Sequence, residues 1–166
     1  MSVTIYKAPA DIFASSAQAI AIGCNVVGVP GKGIALAAAE RYPWWASDYK
    51  AACREERLAP GGLWATQGPL DGPNPGWIVA VAVKAHWCAP SQMEWVVAGL
   101  MALAEWAPSH HVATVAVPSL GCGLGGLDWD EVRPVAERIL GDVAAVGWSL
   151  YEPHEPAGRM PRRSRR

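Results

Sequence analysis

The chain has 166 residues, 51% hydrophobic and 17% charged, with a formal net charge of −1. That length supports one domain with its own core, and that balance excludes a disordered polyelectrolyte. The longest apolar runs, Ala17–Cys24 and Val112–Val117, are too short to span a bilayer, and the first residues lack the basic-then-apolar pattern of a secretory signal, so cytoplasmic residence away from membranes is the expectation.

In chain order, Val3–Tyr6 alternates as a strand, Asp11-Ile12-Phe13 begins a connection, and Ala17–Asn25 reads as a buried strand. A glycine-rich loop from Gly28 to Gly33 follows. Ile34–Tyr42 is alanine-rich and helical, with Pro43 as its stop, and Trp44–Arg57 reads as a second helix. Leu63–Gln67 and Trp77–Val83 are strands separated by Gly/Pro/Asn punctuation. Ser91-x-x-Glu94 has the form of a capping box before the periodic run Trp95–Trp106. Val112–Val117 is a strand, Asp128 is a natural N-cap for Trp129–Leu140, and Val146–Tyr151 is the last strand. Strands alternating with helices predict an α/β fold, a three-layer α/β/α sandwich around a central mixed sheet. The domain is expected over residues 1–153, with 154–166 as a basic, disordered tail.

Two glycine loops carry the functional signal. The first is Gly28-Val29-Pro30-Gly31-Lys32-Gly33-Ile34 and the second is Ser119-Leu120-Gly121-Cys122-Gly123-Leu124-Gly125-Gly126. Each lies between an apolar strand and a helix, where backbone N–H groups and a positive helix end converge on an anion. Neither loop fits a better-known nucleotide motif. Lys32 is followed by Gly33 instead of the Ser or Thr of a P-loop. Gly121, Gly123 and Gly126 match G-x-G-x-x-G, yet position 146, where a dinucleotide fold would place an acid, is Val146. Two loops at matching junctions point to a nucleotide diphosphate or ADP-ribose held from both sides.

These runs resemble the macrodomain family, and more narrowly its branch of DarG antitoxins and terminal ADP-ribose glycohydrolases. The resemblance rests on Asp11-Ile12-Phe13, on Asn25 with the first loop, on Lys84-Ala85-His86-Trp87, and on Leu120 to Trp129. It implies that Asp11 and the Ile12 backbone meet adenine and that Asn25 lies near the distal ribose. Gly31, Lys32, Gly33 and Ile34, with Ser119, Gly121, Cys122, Gly123, Leu124, Gly125 and Gly126, would wrap the diphosphate and distal ribose. Lys84 would be the catalytic residue, with His86 and Trp87 as candidate substrate contacts and no metal or cofactor. Three positions depart from the branch: Ile22 stands where a second Asn is usual, Cys88 where a basic residue follows the Trp, and Gly125 where the terminal ADP-ribose glycohydrolases carry an acid.

Spacing alone makes Lys84 a lysine at a strand end. The resemblance makes it an amine at the anomeric carbon, either a nucleophile or an acid/base. The implied activity is removal of ADP-ribose from a nucleobase in DNA, with ADP-ribose esters of protein carboxylates and non-catalytic ADP-ribose binding as alternatives. A cognate ADP-ribosyltransferase toxin is the implied protein partner. Arg159, Arg162, Arg163, Arg165 and Arg166 leave residues 1–158 with nine Lys/Arg against 15 Asp/Glu, a net of −6, so the tail is the candidate contact to nucleic acid. The four cysteines are too scattered for a zinc site or disulfide framework. Of nine tryptophans, Trp77, Trp95 and Trp106 read as packing residues, while Trp44, Trp45, Trp87 and Trp129 lie near loop ends where a base could stack.

Overall fold

The computed structural model describes residues 3–154. The basic tail expected from Gly158 to Arg166 lies outside the described residues. Six strands form one sheet: β1 (Val3–Tyr6), β2 (Ala19–Asn25), β3 (Leu63–Gln67), β4 (Trp77–Lys84), β5 (Thr114–Val117) and β6 (Gly147–Tyr151). Their spatial order is β1-β6-β5-β2-β4-β3, with β3 antiparallel to β4 and every other pair parallel. The expected mixed sheet is therefore present.

The two faces of the sheet are set by the period-two alternation of the central strands. Ala19 and Ala21 of β2, with Val79, Val81 and Val83 of β4, face the core shared with α3 (Met93–Ser109) and α4 (Trp129–Gly141). Ile20 and Ile22, with Ile78, Ala80 and Ala82, face the opposite core under α1 (Gly33–Arg41) and α2 (Pro43–Arg54). Strands apolar on both faces belong in the middle of a parallel sheet covered by helices, which gives the three layers.

Local capping chemistry separates the correct boundaries from the wrong ones. Asp128 caps α4 as expected, its carboxylate accepting from the Asp130 N–H at 2.9 Å. Ser91 caps nothing: α3 begins at Met93, its N-cap is Gln92, and no side chain bonds the first turn. The capping box fails because the Ser91 N–H is bound to the Gly125 carbonyl at 2.9 Å, which turns this residue toward the second glycine loop. Pro43 ends one helix and starts another. It sits in the first turn of α2, where its missing N–H has no helical partner to lose. The strand expected from Val112 starts at Thr114.

Candidate functional site

Parallel strands β2 and β5 are hydrogen-bonded neighbours, Ala19 opposite Val115 and Ile20 opposite Ala116. The two glycine loops leave the same ends of these adjacent strands, so the topology sets them side by side. A Cβ added at Gly33 in the first would lie 3.5 Å from Leu124 Cδ1 in the second, which shows that the loops touch. Between them opens a cavity of about 990 Å³ at the C-terminal edge of β2, β4, β5 and β6. That size suits a nucleotide-like ligand, and the carboxyl ends of parallel strands are where open α/β sheets bind ligands.

The first loop is organised by one buried side chain. Asn25, at the end of β2, accepts through Oδ1 from the N–H groups of Val27 (3.0 Å), Gly28 (3.0 Å) and Val29 (3.3 Å). Its Nδ2 donates to the Val29 carbonyl at 3.0 Å. The Tyr49 hydroxyl donates to the Asn25 carbonyl at 2.6 Å from beneath. Burial pushes the Tyr49 phenol well above the ordinary tyrosine range, which keeps it a donor. Asn25 lines the cavity, but its amide chiefly folds the loop. Helix α1 then starts at Gly33 with no side-chain cap, and its first residues, Gly33, Ile34 and Ala35, line the cavity.

Lys84 closes β4 opposite Asn25, and its carbonyl accepts from the Val26 N–H at 3.2 Å. Its amine reaches across to the second loop and donates to the Leu124 carbonyl at 3.4 Å. None of the three ion pairs among the described residues involves Lys84. The second loop contains a short 3-10 turn, Gly123–Gly125; Gly123 is there for its φ of 67°, whereas Gly121 and Gly125 are there for space. A Cβ at Gly121 would meet Leu127 Cδ1 at 2.6 Å and Val96 Cγ2 at 2.9 Å; one at Gly125 would meet Ser91 Oγ at 2.4 Å. Since Ser91 fills that corner, an acid at position 125 has no room.

At the other end, Asp11 caps a 3-10 turn (Ile12–Ala14), its Oδ1 accepting from the Phe13 N–H at 2.9 Å. The carboxylate lies at the cavity edge with Ile12 and Phe13. His154 Nε2 meets the Ala10 carbonyl at 3.0 Å and pins the residue just before Asp11.

Nearly every site residue expected from the sequence lines this one cavity: Asp11, Ile12, Asn25, Gly31, Lys32, Gly33, Ile34, Lys84, Trp87, Ser119, and Gly121 through Gly125. Gly126 and His86 stand outside its wall. Gly126 ends the 3-10 turn at φ 82°, and His86 Nδ1 lies 3.0 Å from Cys88 Sγ, with its ring tilted against Trp87. Of the four loop-end tryptophans only Trp87 lines the cavity, and it is 54% exposed. Trp45 is fully buried and stacked on Tyr49, a correction to its reading as a base platform. Burial, with Asp128 adding, pushes the Cys122 thiol up to about 11, which favours the protonated form over a thiolate. Sequence reasoning missed Ser91, Cys88, Phe13, Val29 and the segment Tyr151 to His154, all in the wall. Only the position of Tyr151–His154 after an inner strand could have flagged that segment. Among the described residues no three His, Cys, Asp or Glu side chains are grouped to hold a metal ion, and no helix is long and apolar enough to cross a membrane.

Comparison with known proteins agrees with this geometry. A family model described as Macro domain matches residues 22–136. A Mycobacterium tuberculosis protein named DNA ADP-ribosyl glycohydrolase is 39% identical over 147 residues, 86% of this chain and 40% of the relative. The chain thus spans about 40% of the length of the curated relatives it matches. Among solved structures, the macrodomain of Mycobacterium tuberculosis DarG superposes with a TM-score of 0.84 at 35% identity, covering 90% of this chain and 98% of that one. Thermosipho africanus DarTG in complex with ADP-ribose gives 0.84 at 28% identity, covering 96% of this chain and 43% of that one.

Proposed function

The chain belongs to the macrodomain family, and from that premise we propose that it is an ADP-ribosyl glycohydrolase that removes ADP-ribose from a nucleobase in DNA. The observation that carries the reading is the Lys84 amine, 3.4 Å from the Leu124 carbonyl, at the seam where the two glycine loops meet. ADP-ribose lies with adenine toward Asp11 and Ile12 and its diphosphate between the loops. The distal ribose then falls beside Lys84. Free N–H groups of the α1 start and the second loop supply the anion contacts.

Hydrolysis breaks the bond from the anomeric carbon to the base nitrogen; water supplies hydroxide to the carbon and a proton to the base. Two uses of Lys84 fit its position. As a nucleophile its amine adds to the anomeric carbon of the ring-opened sugar, which is then doubly bonded to the base nitrogen; the amine gives a proton to that nitrogen, the base leaves, and water hydrolyses the remaining lysine iminium to release ADP-ribose. As an acid it hands a proton to the departing base and regains one from the attacking water. Hydride reduction during turnover traps ADP-ribose on Lys84 only in the first case. Either way the lysine works without a carboxylate beside it, because Ser91 occupies the space at Gly125, and the reading needs no metal or cofactor.

Substrate and partner follow from the named relatives: the Mycobacterium tuberculosis protein is called a DNA ADP-ribosyl glycohydrolase, and the solved Thermosipho africanus protein is DarTG. A cognate ADP-ribosyltransferase acting on DNA is therefore the proposed source of substrate. Trp87, exposed at the rim beside Lys84, is the platform offered to the modified base. The test is incubation with ADP-ribosylated DNA oligonucleotides and, separately, with an auto-modified protein transferase. Release of ADP-ribose from DNA is expected. Turnover of protein esters alone would move the substrate to carboxylates, and binding without release from either would make the chain a reader of ADP-ribose.

A further inference from the structure

Ser91 is 5% exposed, lies in the cavity wall, and its hydroxyl has no hydrogen-bond partner. Its backbone is fixed by the bond from its N–H to the Gly125 carbonyl, and its side chain is not used as a helix cap. The hydroxyl fills the corner where Gly125 lacks a side chain. A Cβ there would be 2.4 Å from Ser91 Oγ and 3.8 Å from Lys84 Cε, so hydroxyl and lysine stem border the same point beside Gly125. An unpartnered buried hydroxyl destabilises a fold, and such groups persist where the working state gives them a partner.

The neighbouring donors narrow the choice of partner. The Gly125 and Gly126 N–H groups already point at the Cys122 and Gly123 carbonyls (3.4 and 3.1 Å). The Lys84 amine has one long contact, to the Leu124 carbonyl at 3.4 Å. We propose that Ser91 is the positioning residue for Lys84: when the distal sugar enters, the amine leaves the Leu124 carbonyl and is held by the Ser91 hydroxyl. A hydroxyl serves both forms of the lysine, accepting from the ammonium and donating to the neutral amine. The inference rests on Lys84 being the catalytic group.

Ser91→Ala tests it with two independent readouts. In the first, kcat on ADP-ribosylated DNA falls about tenfold while KM and ADP-ribose affinity stay within about twofold, the signature of an interaction made at the chemical step. The melting temperature is unchanged or raised, since an unpartnered buried hydroxyl has been removed. In the second, an amine-acylating reagent is applied with ADP-ribose bound, and labelling is followed by mass spectrometry. The variant changes the labelling rate of Lys84 but of no other lysine. Unchanged kcat together with unchanged Lys84 labelling would overturn the proposal, as would a kcat loss accompanied by parallel losses in affinity and melting temperature. If the wild type releases ADP-ribose from no substrate, the catalytic reading fails by itself, and the labelling arm still decides whether Ser91 contacts Lys84.

Discussion

Replacing Asn25 by alanine removes the device that shapes the first glycine loop. Three accepted hydrogen bonds and one donated bond disappear together, with lengths of 3.0, 3.0, 3.3 and 3.0 Å. At roughly 0.5–1.5 kcal/mol each, and with the longest counted at the low end because water can replace it, the loss is about 2–5 kcal/mol. Part of that appears as global stability, since Asn25 is 7% exposed and its carbonyl also receives the Tyr49 hydroxyl. The rest appears when ADP-ribose must order a loop that was previously held, and each 1.4 kcal/mol of it weakens binding about tenfold. Asn25→Ala is therefore expected to lower stability by about 2 kcal/mol or more in denaturant melts and to weaken ADP-ribose at least about tenfold by calorimetry. Asn25→Asp keeps the acceptor for the three N–H groups but sets a carboxylate oxygen against the Val29 carbonyl and a negative charge in the cavity wall, so it should not restore ADP-ribose binding to the wild-type level. If Asn25→Ala binds ADP-ribose as the wild type does, the loop is not what holds the ligand.

Gly125→Ala forces a methyl to within 2.4 Å of Ser91 Oγ and 3.0 Å of its Cβ, and overpacking of that kind costs about 1–3 kcal/mol. Melts of the double variant with Ser91→Gly should recover most of the loss, whereas simple additivity would refute the contact. Asp11→Ala should weaken ADP-ribose binding in calorimetry with the melting temperature nearly unchanged, because Asp11 is exposed and caps only a single 3-10 turn; unaltered affinity would remove the adenine contact. Cys122, whose thiol is pushed from the ordinary 9.0 to about 11, favours its neutral form in the fold. Its contribution to stability is intact below about pH 9 and fades as the pH rises through about 11, so Cys122→Ser should flatten that stretch of the stability profile. An identical slope in both proteins would contradict the burial argument.

The elements that place the site were legible because their signals are local. Alternating apolar residues fixed both faces of β2 and β4, Asp128 announced α4, and the glycine loops fell between strand and helix where the sequence put them. That the two loops border one cavity was inferred from their matching strand-to-helix junctions, and its physical cause is the pairing of β2 with β5, which sequence order hides. Ser91 misled for the same reason. Three residues before Glu94 it has the form of a cap, yet its N–H answers to a carbonyl 34 positions away, that of Gly125. Asn25 showed its type but not its task, since Tyr49 and the loop amides gather around it only in space. Trp45 looked available because it lies near a loop end in the sequence. Its burial comes from helical spacing: four residues before Tyr49, it shares the buried face of α2 and stacks on that ring at 5.1 Å.

Lys84→Ala, assayed side by side for binding and for turnover, probes the chemistry most directly. Calorimetry should give ADP-ribose affinity within about threefold of the wild type, because the contacts proposed for the diphosphate are backbone N–H groups, while release of ADP-ribose from DNA should drop by at least about a thousandfold. A variant that still turns over at an appreciable fraction of the native rate would take the amine out of the reaction and leave the pocket a binding site alone.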